Sequence, residues 1–249
     1  MITKGLFYHA GRYYMLMARV FAKPEKHSMY YRQFIREIES LGISSLGIVA
    51  IISAFMGAVI TIQTAYNVTN PLLPPYLIGL AARDSIILEF SSSMVALILA
   101  GKVGSSIASE LGTMRVTEQI DALEIMGINS ASYLILPKIS AAMVFNPLLA
   151  LISMTVGIFG GWAVATYVGV VTTEQFIMGI RYSFVPYYIT YSVVKTVVFA
   201  FIITSVAAYY GYTVEGGSVE VGRSSTKAVV YSSVVILLFN LLLTQLLLS

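Results

Sequence analysis

Apolar residues dominate this chain in stretches too long to be one face of a soluble helix, and short polar blocks separate them. Residues 41–64 are apolar and uncharged for long enough to cross a hydrocarbon core of about 30 Å, which predicts a first transmembrane helix. Residues 66–83 carry Asn67, Asn70, Pro71, Pro74 and Pro75 and read as a turn or short re-entrant element outside the membrane. A second span is predicted over 84–106 and a third over 134–167, longer than one crossing needs, where Pro137 and Pro147 would kink or shorten the membrane part. Residues 175–186 read as an external connection, followed by a fourth span at 187–209 and a last at 228–248. The fold class is therefore all-α, a polytopic integral membrane protein with about five transmembrane helices, organised as a single membrane domain over residues 1–249.

The most polar run between two apolar segments is residues 110–127, ELGTMRVTEQIDALEIMG. On a 3.6-residue period Val116, Ile120 and Leu123 share a narrow face, while Glu118, Asp121 and Glu124 fall on the broad opposite side with Arg115 and Thr117 at its margins. This predicts one amphipathic helix on the cytoplasmic membrane surface, able to press its apolar stripe into the lipid interface or into a groove of a soluble partner. The plainer alternative is a loop helix between spans with no partner. Residues 1–40 mix Lys4, Arg12, Arg19, Lys23, Lys26, Arg32 and Arg36 with many aromatic side chains, the composition of helices lying in the interface, and Pro24 is expected to divide them into two pieces.

Composition sharpens the class. The chain is 57% hydrophobic and 11% charged, with a mean hydropathy of +0.83, whereas soluble domains carry about 25% charged residues. A net charge of +3, with the basic residues beside the spans, gives no nucleic-acid-binding patch. Without cysteine, thiolate metal sites and cysteine nucleophiles are excluded. The first apolar run, residues 13–22, is interrupted by Arg19 and lacks a small-residue cleavage pattern, so no signal peptide is expected. Placing the N-terminus, residues 102–138 and residues 211–227 on one side collects most lysines and arginines there and leaves Arg83 and Arg181 opposite. The positive-inside rule then puts the N-terminus in the cytoplasm and the C-terminus outside.

Enzyme motifs are absent. His9 and His27 lie in the interfacial N-terminus, and Gly101-Lys102 lacks both the upstream glycine and the following Ser or Thr of a P-loop, so this chain has no ATPase site of that type. Two charges fall within predicted spans, Glu89 and Lys195. An ionisable side chain there costs about 2.5–3.5 kcal/mol on insertion scales and faces a cavity or a partner, so the pair either lines a cavity or satisfies itself structurally. Ser91, Ser92 and Ser93 are candidates for hydrogen bonds across helices or for the cavity wall. Small residues at Gly101, Gly104 and Ser105, and at Gly157, Gly160 and Gly161, suggest close helix contacts, within the chain or between copies.

The run from residue 99 to 137, LAGKVGSSIASELGTMRVTEQIDALEIMGINSASYLILP, closely resembles the MlaE family, the permeases of ABC transporters that move lipids with MCE proteins. So do GYTVEGGSVEVGRSSTKAVVYSS at 211–233 and FMGAVITIQTAY at 55–66. The resemblance implies a homodimer in a bacterial inner membrane, an ABC ATPase subunit (MlaF-like) carrying ATP and Mg, an MCE protein (MlaD-like), a small STAS-type accessory subunit acting through the ATPase, and a phospholipid cargo. It implies that residues 110–127 form the coupling helix, for which Arg115, Glu118, Asp121 and Glu124 are the candidate contacts, and that Glu89, Lys195 and Asn240 stand at positions of the lipid cavity, with Ser91 a further candidate for its wall. The family's common Arg-Glu-Leu-Gly-Pro stretch is Leu88, Glu89, Phe90, Ser91, Ser92 here, and Asn240 stands where an acidic residue is common; both changes make the cavity less ionic. A membrane scaffold that docks a soluble complex without transport is the competing reading.

Overall fold

The computed structural model describes residues 2–22, 27–68 and 73–248, and among these every regular element is helical. Helices α1 (Ile2–Val20) and α2 (His27–Glu37) precede a π-helical turn (Ile38–Ile43) that runs into α3 (Ser44–Asn67). Next come α4 (Tyr76–Ser85), a π-helical segment (Ile86–Met94), α5 (Val95–Leu99), a second such segment (Ala100–Gly104) and α6 (Ser105–Val116). A short α7 (Gln119–Ile125) leads to α8 (Ser130–Val168), α9 (Thr173–Arg181), α10 (Tyr187–Tyr212) and α11 (Ser218–Leu248). Among the described residues, five stretches are long and apolar enough to cross a membrane: Met29–Asn67, Tyr76–Val116, Ser130–Val168, Tyr187–Tyr212 and Ser218–Leu248. These are the predicted spans, lengthened. The expected break at Pro24 and the turn residues Asn70 and Pro71 lie outside the described residues.

Two expectations about connections are corrected. Residues 76–83 are helix α4, continuous with the second span, and residues 173–181 form α9 rather than a plain connection. Packing explains both. A methyl on Gly79 would overlap the backbone of Phe176, and one on Gly179 would overlap that of Tyr76, so the two helices touch backbone to backbone. Arg83 is buried there, donating to Asp84 and, through Nη1, to the carbonyls of Ile180 at 2.7 Å and Tyr182 at 2.8 Å at the end of α9.

The chain packs as two compact units, each drawn from three stretches. One comprises Met1–Ile43, Leu99–Phe145 and Phe199–Phe239; the other comprises Ser44–Ile98, Asn146–Val198 and Asn240–Ser249. In the first, Ile107, Leu111, Ile120, Ile135 and Ile203 are buried, and Gly211 lets α10 rest on the backbone of Ala108. Buried Lys138 of α8 meets Glu37 of α2 at 2.7 Å and Glu110 of α6 at 2.8 Å, so one lysine ties three helices. In the second, α3 and α8 are in backbone contact: methyls on Gly57 and Gly160 would overlap the carbonyls of Gly157 and Ala54, and Ser53 donates to Ser153 at 2.7 Å. The small residues at 157–161 therefore serve packing within the chain. Within the chain, Gly101 has open space where its methyl would stand and Gly104 makes only ordinary contact with Ile203, while the Ser105 carbonyl accepts from Ser225 of α11 at 3.1 Å.

Candidate functional site

The polar segment between the second and third spans is not one helix. It ends α6 at Val116, passes through Thr117 and Glu118, and restarts as α7 at Gln119. Glu118 adopts a left-handed conformation, φ 59°, a geometry that costs an L-residue roughly 1–2 kcal/mol. Helical periodicity in the sequence continues through this point, and glutamate gives no warning of a left-handed residue. The expected single amphipathic helix over 110–127 is thus a helix–turn–helix. The break is held by Arg115, whose Nη1 meets Asp121 Oδ1 at 2.5 Å across the turn.

The turn redistributes the expected contact residues. Ile120 is buried and anchors α7, while Glu118 is exposed at the turn. Glu124 Oε1 is held from three directions: by Arg19 of α1 at 3.3 Å, Ser130 of α8 at 3.0 Å and Tyr212 of α10 at 3.0 Å. Desolvation pushes this carboxyl up, but hydrogen bonds from Ser130 and Tyr212 and the charges of Arg19 and Arg115 outweigh it and hold the group below its ordinary value. Arg115, Asp121 and Glu124 therefore fix the position of α7. Beyond them Ile125 and Met126 are 87% and 65% exposed in the segment between two spans. The sequence reading placed the apolar contact on Val116, Ile120 and Leu123 and missed this pair, the last residue of α7 and its C-cap.

A second polar cluster lies inside the apolar spans. Glu89 sits in the π-helical segment Ile86–Met94, whose wide turn is marked by the Val95 N–H reaching the carbonyl of Phe90. Lys195 of α10 is fully buried and donates to Glu89 Oε1 at 3.1 Å, Tyr191 Oη at 2.9 Å and Thr244 Oγ1 at 3.3 Å. Glu89 Oε2 accepts from Asn240 Nδ2 at 3.2 Å and lies 2.9 Å from Ser93 Oγ. Every donor of the lysine is met, yet the Glu89 side chain keeps 43% of its surface exposed. The structure thus brings Glu89, Lys195 and Asn240 together and adds Ser93, Tyr191 and Thr244. Ser91 turns elsewhere, bonding the Ile87 carbonyl at 3.1 Å and approaching Ser192 Oγ at 3.4 Å. The serine four residues beyond Glu89 on the same helical face, rather than two, is the one that reaches it.

Comparison with known proteins agrees with this architecture. The family model described as Permease MlaE matches residues 34–246. A probable ABC transporter permease protein of Rickettsia bellii is 36% identical over 218 residues, covering 88% of this chain and 84% of that protein. One from Synechocystis is 31% identical over 238 residues, covering 94% and 88%. The Arabidopsis thaliana protein TRIGALACTOSYLDIACYLGLYCEROL 1, chloroplastic, is 31% identical over 220 residues, covering 88% of this chain and 63% of its own length. With matches of this extent to a five-span helical chain, the protein belongs to the MlaE family, as a multi-pass ABC transporter permease.

Proposed function

We propose that this permease moves phospholipids, as one of two copies in an inner membrane, powered by a separate ABC ATPase and exchanging cargo with an MCE-type carrier outside. The observation that carries the reading is the half-exposed carboxylate of Glu89 in the apolar spans, beside a lysine whose charge is already satisfied. A carboxylate held open at that depth is suited to the polar end of an amphiphile, and the less ionic surroundings created by Asn240 and the serines suit a headgroup of low net charge.

In this account the N-terminus and α7 face the cytoplasm. The ATPase receives the apolar tip Ile125–Met126 in a groove, with Glu118 on the rim, and a small STAS-type subunit acts through the ATPase. A push on α7 is passed by Glu124 to α1, α8 and α10, and α10 is the helix that carries Lys195. The test is co-purification of a tagged ATPase with variants of the tip. Ile125→Asp with Met126→Asp is expected to abolish retention, and Glu118→Lys to weaken it. Full retention and unchanged ATPase stimulation in both would refute the docking role. Retention of the ATPase without any ATP-driven lipid movement would favour a docking scaffold instead.

A further inference from the structure

Beside the cluster that holds α7, and sharing Arg19, Arg115 and Glu124 with it, the first unit has a cavity of about 350 Å³ at the N-terminal helix. Its wall alternates in sign: Arg12, Arg19 and Arg115 supply guanidinium groups, and Glu124 and Glu215 supply carboxylates. Arg12 and Arg19 stand seven residues apart on one stripe of α1, with Met15 and Leu16 between them. Three internal ion pairs are made here, and they are unequal. Arg115 and Arg19 hold Asp121 and Glu124 at 2.5 Å and 3.3 Å, whereas Arg12 reaches Glu215 only at 4.0 Å, and the Glu215 side chain is 85% exposed. That loosest pair leaves a cation and an anion side by side with most of their hydrogen-bonding capacity open to a ligand.

We infer that this cavity binds the headgroup of a membrane lipid that carries a phosphodiester next to a primary ammonium, at a site separate from the transport path. The phosphate sits between the guanidinium groups of Arg12 and Arg19, and the ammonium replaces Arg12 as the partner of Glu215. Arginine is matched to the phosphate by its planar fork of donors. A purely anionic headgroup meets two carboxylates in the same wall, and a trimethylated ammonium offers Glu215 no N–H, so the alternating charges select the zwitterion with a protonated primary amine. The apolar stems of Met15 and Leu16 give the glycerol and first methylenes a dry surface. Phe7, Tyr8 and Tyr14, exposed on the same helix, suit α1 to the lipid interface that supplies such a ligand. Filling the cavity links α1 to the end of α10 beside Glu124, so the lipid would steady the helices on which α7 is seated.

The test is native mass spectrometry of the detergent-purified full chain titrated with short-chain phosphatidylethanolamine, phosphatidylcholine or phosphatidylglycerol, and separately with inorganic phosphate. Wild type is expected to hold one phosphatidylethanolamine about tenfold more tightly than phosphatidylcholine. Arg12→Gln with Arg19→Gln should lower that affinity at least about tenfold. Glu215→Gln, whose side chain is too exposed to support the fold, should erase the preference and leave phosphatidylcholine binding unchanged. The inference is overturned if Glu215→Gln keeps the preference, if the double arginine variant binds as wild type while retaining its thermal stability, or if inorganic phosphate competes as well as the lipid, which would mark a simple anion site. Repeating the titration with Glu89→Gln separates this site from the transport path, because binding here should survive that change.

Discussion

Lys195 is fully buried and Glu89 is not, so the two halves of the pair are not equivalent. Removing the carboxylate strands a cation with only neutral partners, whereas removing the lysine leaves a carboxylate that still has solvent or lipid headgroups to meet. Glu89→Gln should therefore destabilise the protein by about 3 kcal/mol and Lys195→Met by less, and the double variant should recover most of the loss. Thermal unfolding of the four proteins in one detergent checks the order; equal costs for the two single changes would contradict it. Glu124 gives a pH signature. Its folded-state value lies below the ordinary glutamate value of about 4.3, so as pH falls the unfolded chain takes up this proton first. The stabilisation is present above that ordinary value and is lost as pH drops through the lower folded one. Between about pH 6 and pH 3, Glu124→Gln should flatten part of the acid-side loss of melting temperature seen in wild type. Glu89 and Lys195 could be read from the sequence because charges in apolar spans stand out, but their partners Tyr191 and Thr244 could not, since a tyrosine and a threonine in a span carry no mark until two helices meet.

The helices show how much of the fold a hydropathy pattern carries. All five spans were legible, because a helix that satisfies its own backbone within lipid still needs a long run of apolar side chains to cross it. Their ends were not: α11 begins at Ser218, about ten residues before its apolar part, and α4 carries polar Arg83 and Asp84 into the second span. Arg83 reads as a loop charge in sequence and is in the structure a buried clamp on the end of α9. The break at Glu118 was equally hidden, because a left-handed glutamate is imposed by its neighbours. Glu118→Gly should remove the conformational cost and stabilise the turn by up to about 1 kcal/mol. If the same change weakens ATPase binding, the carboxylate itself is the contact. Between α3 and α8 there is no room to give: Gly160→Ala should cost about 1–3 kcal/mol by forcing the helices apart. Gly101→Ala, with open space at its methyl, should cost nothing measurable and serves as the control.

Taken together, the chain has a polar, half-open cluster within its spans and, between spans, a pinned α7 ending in exposed apolar residues. The family and the relatives establish an ABC transporter permease; an amphiphilic cargo held at the cluster is our proposal. The most direct measurement is lipid movement in proteoliposomes containing this chain, its ATPase and a fluorescent phospholipid, followed with and without ATP. The account predicts ATP-dependent movement that Glu89→Gln slows by roughly tenfold, a loss of about 1.4 kcal/mol, while ATP hydrolysis continues. ATP hydrolysis coupled to the chain with no lipid movement in the wild type, or movement indifferent to Glu89→Gln, would contradict it.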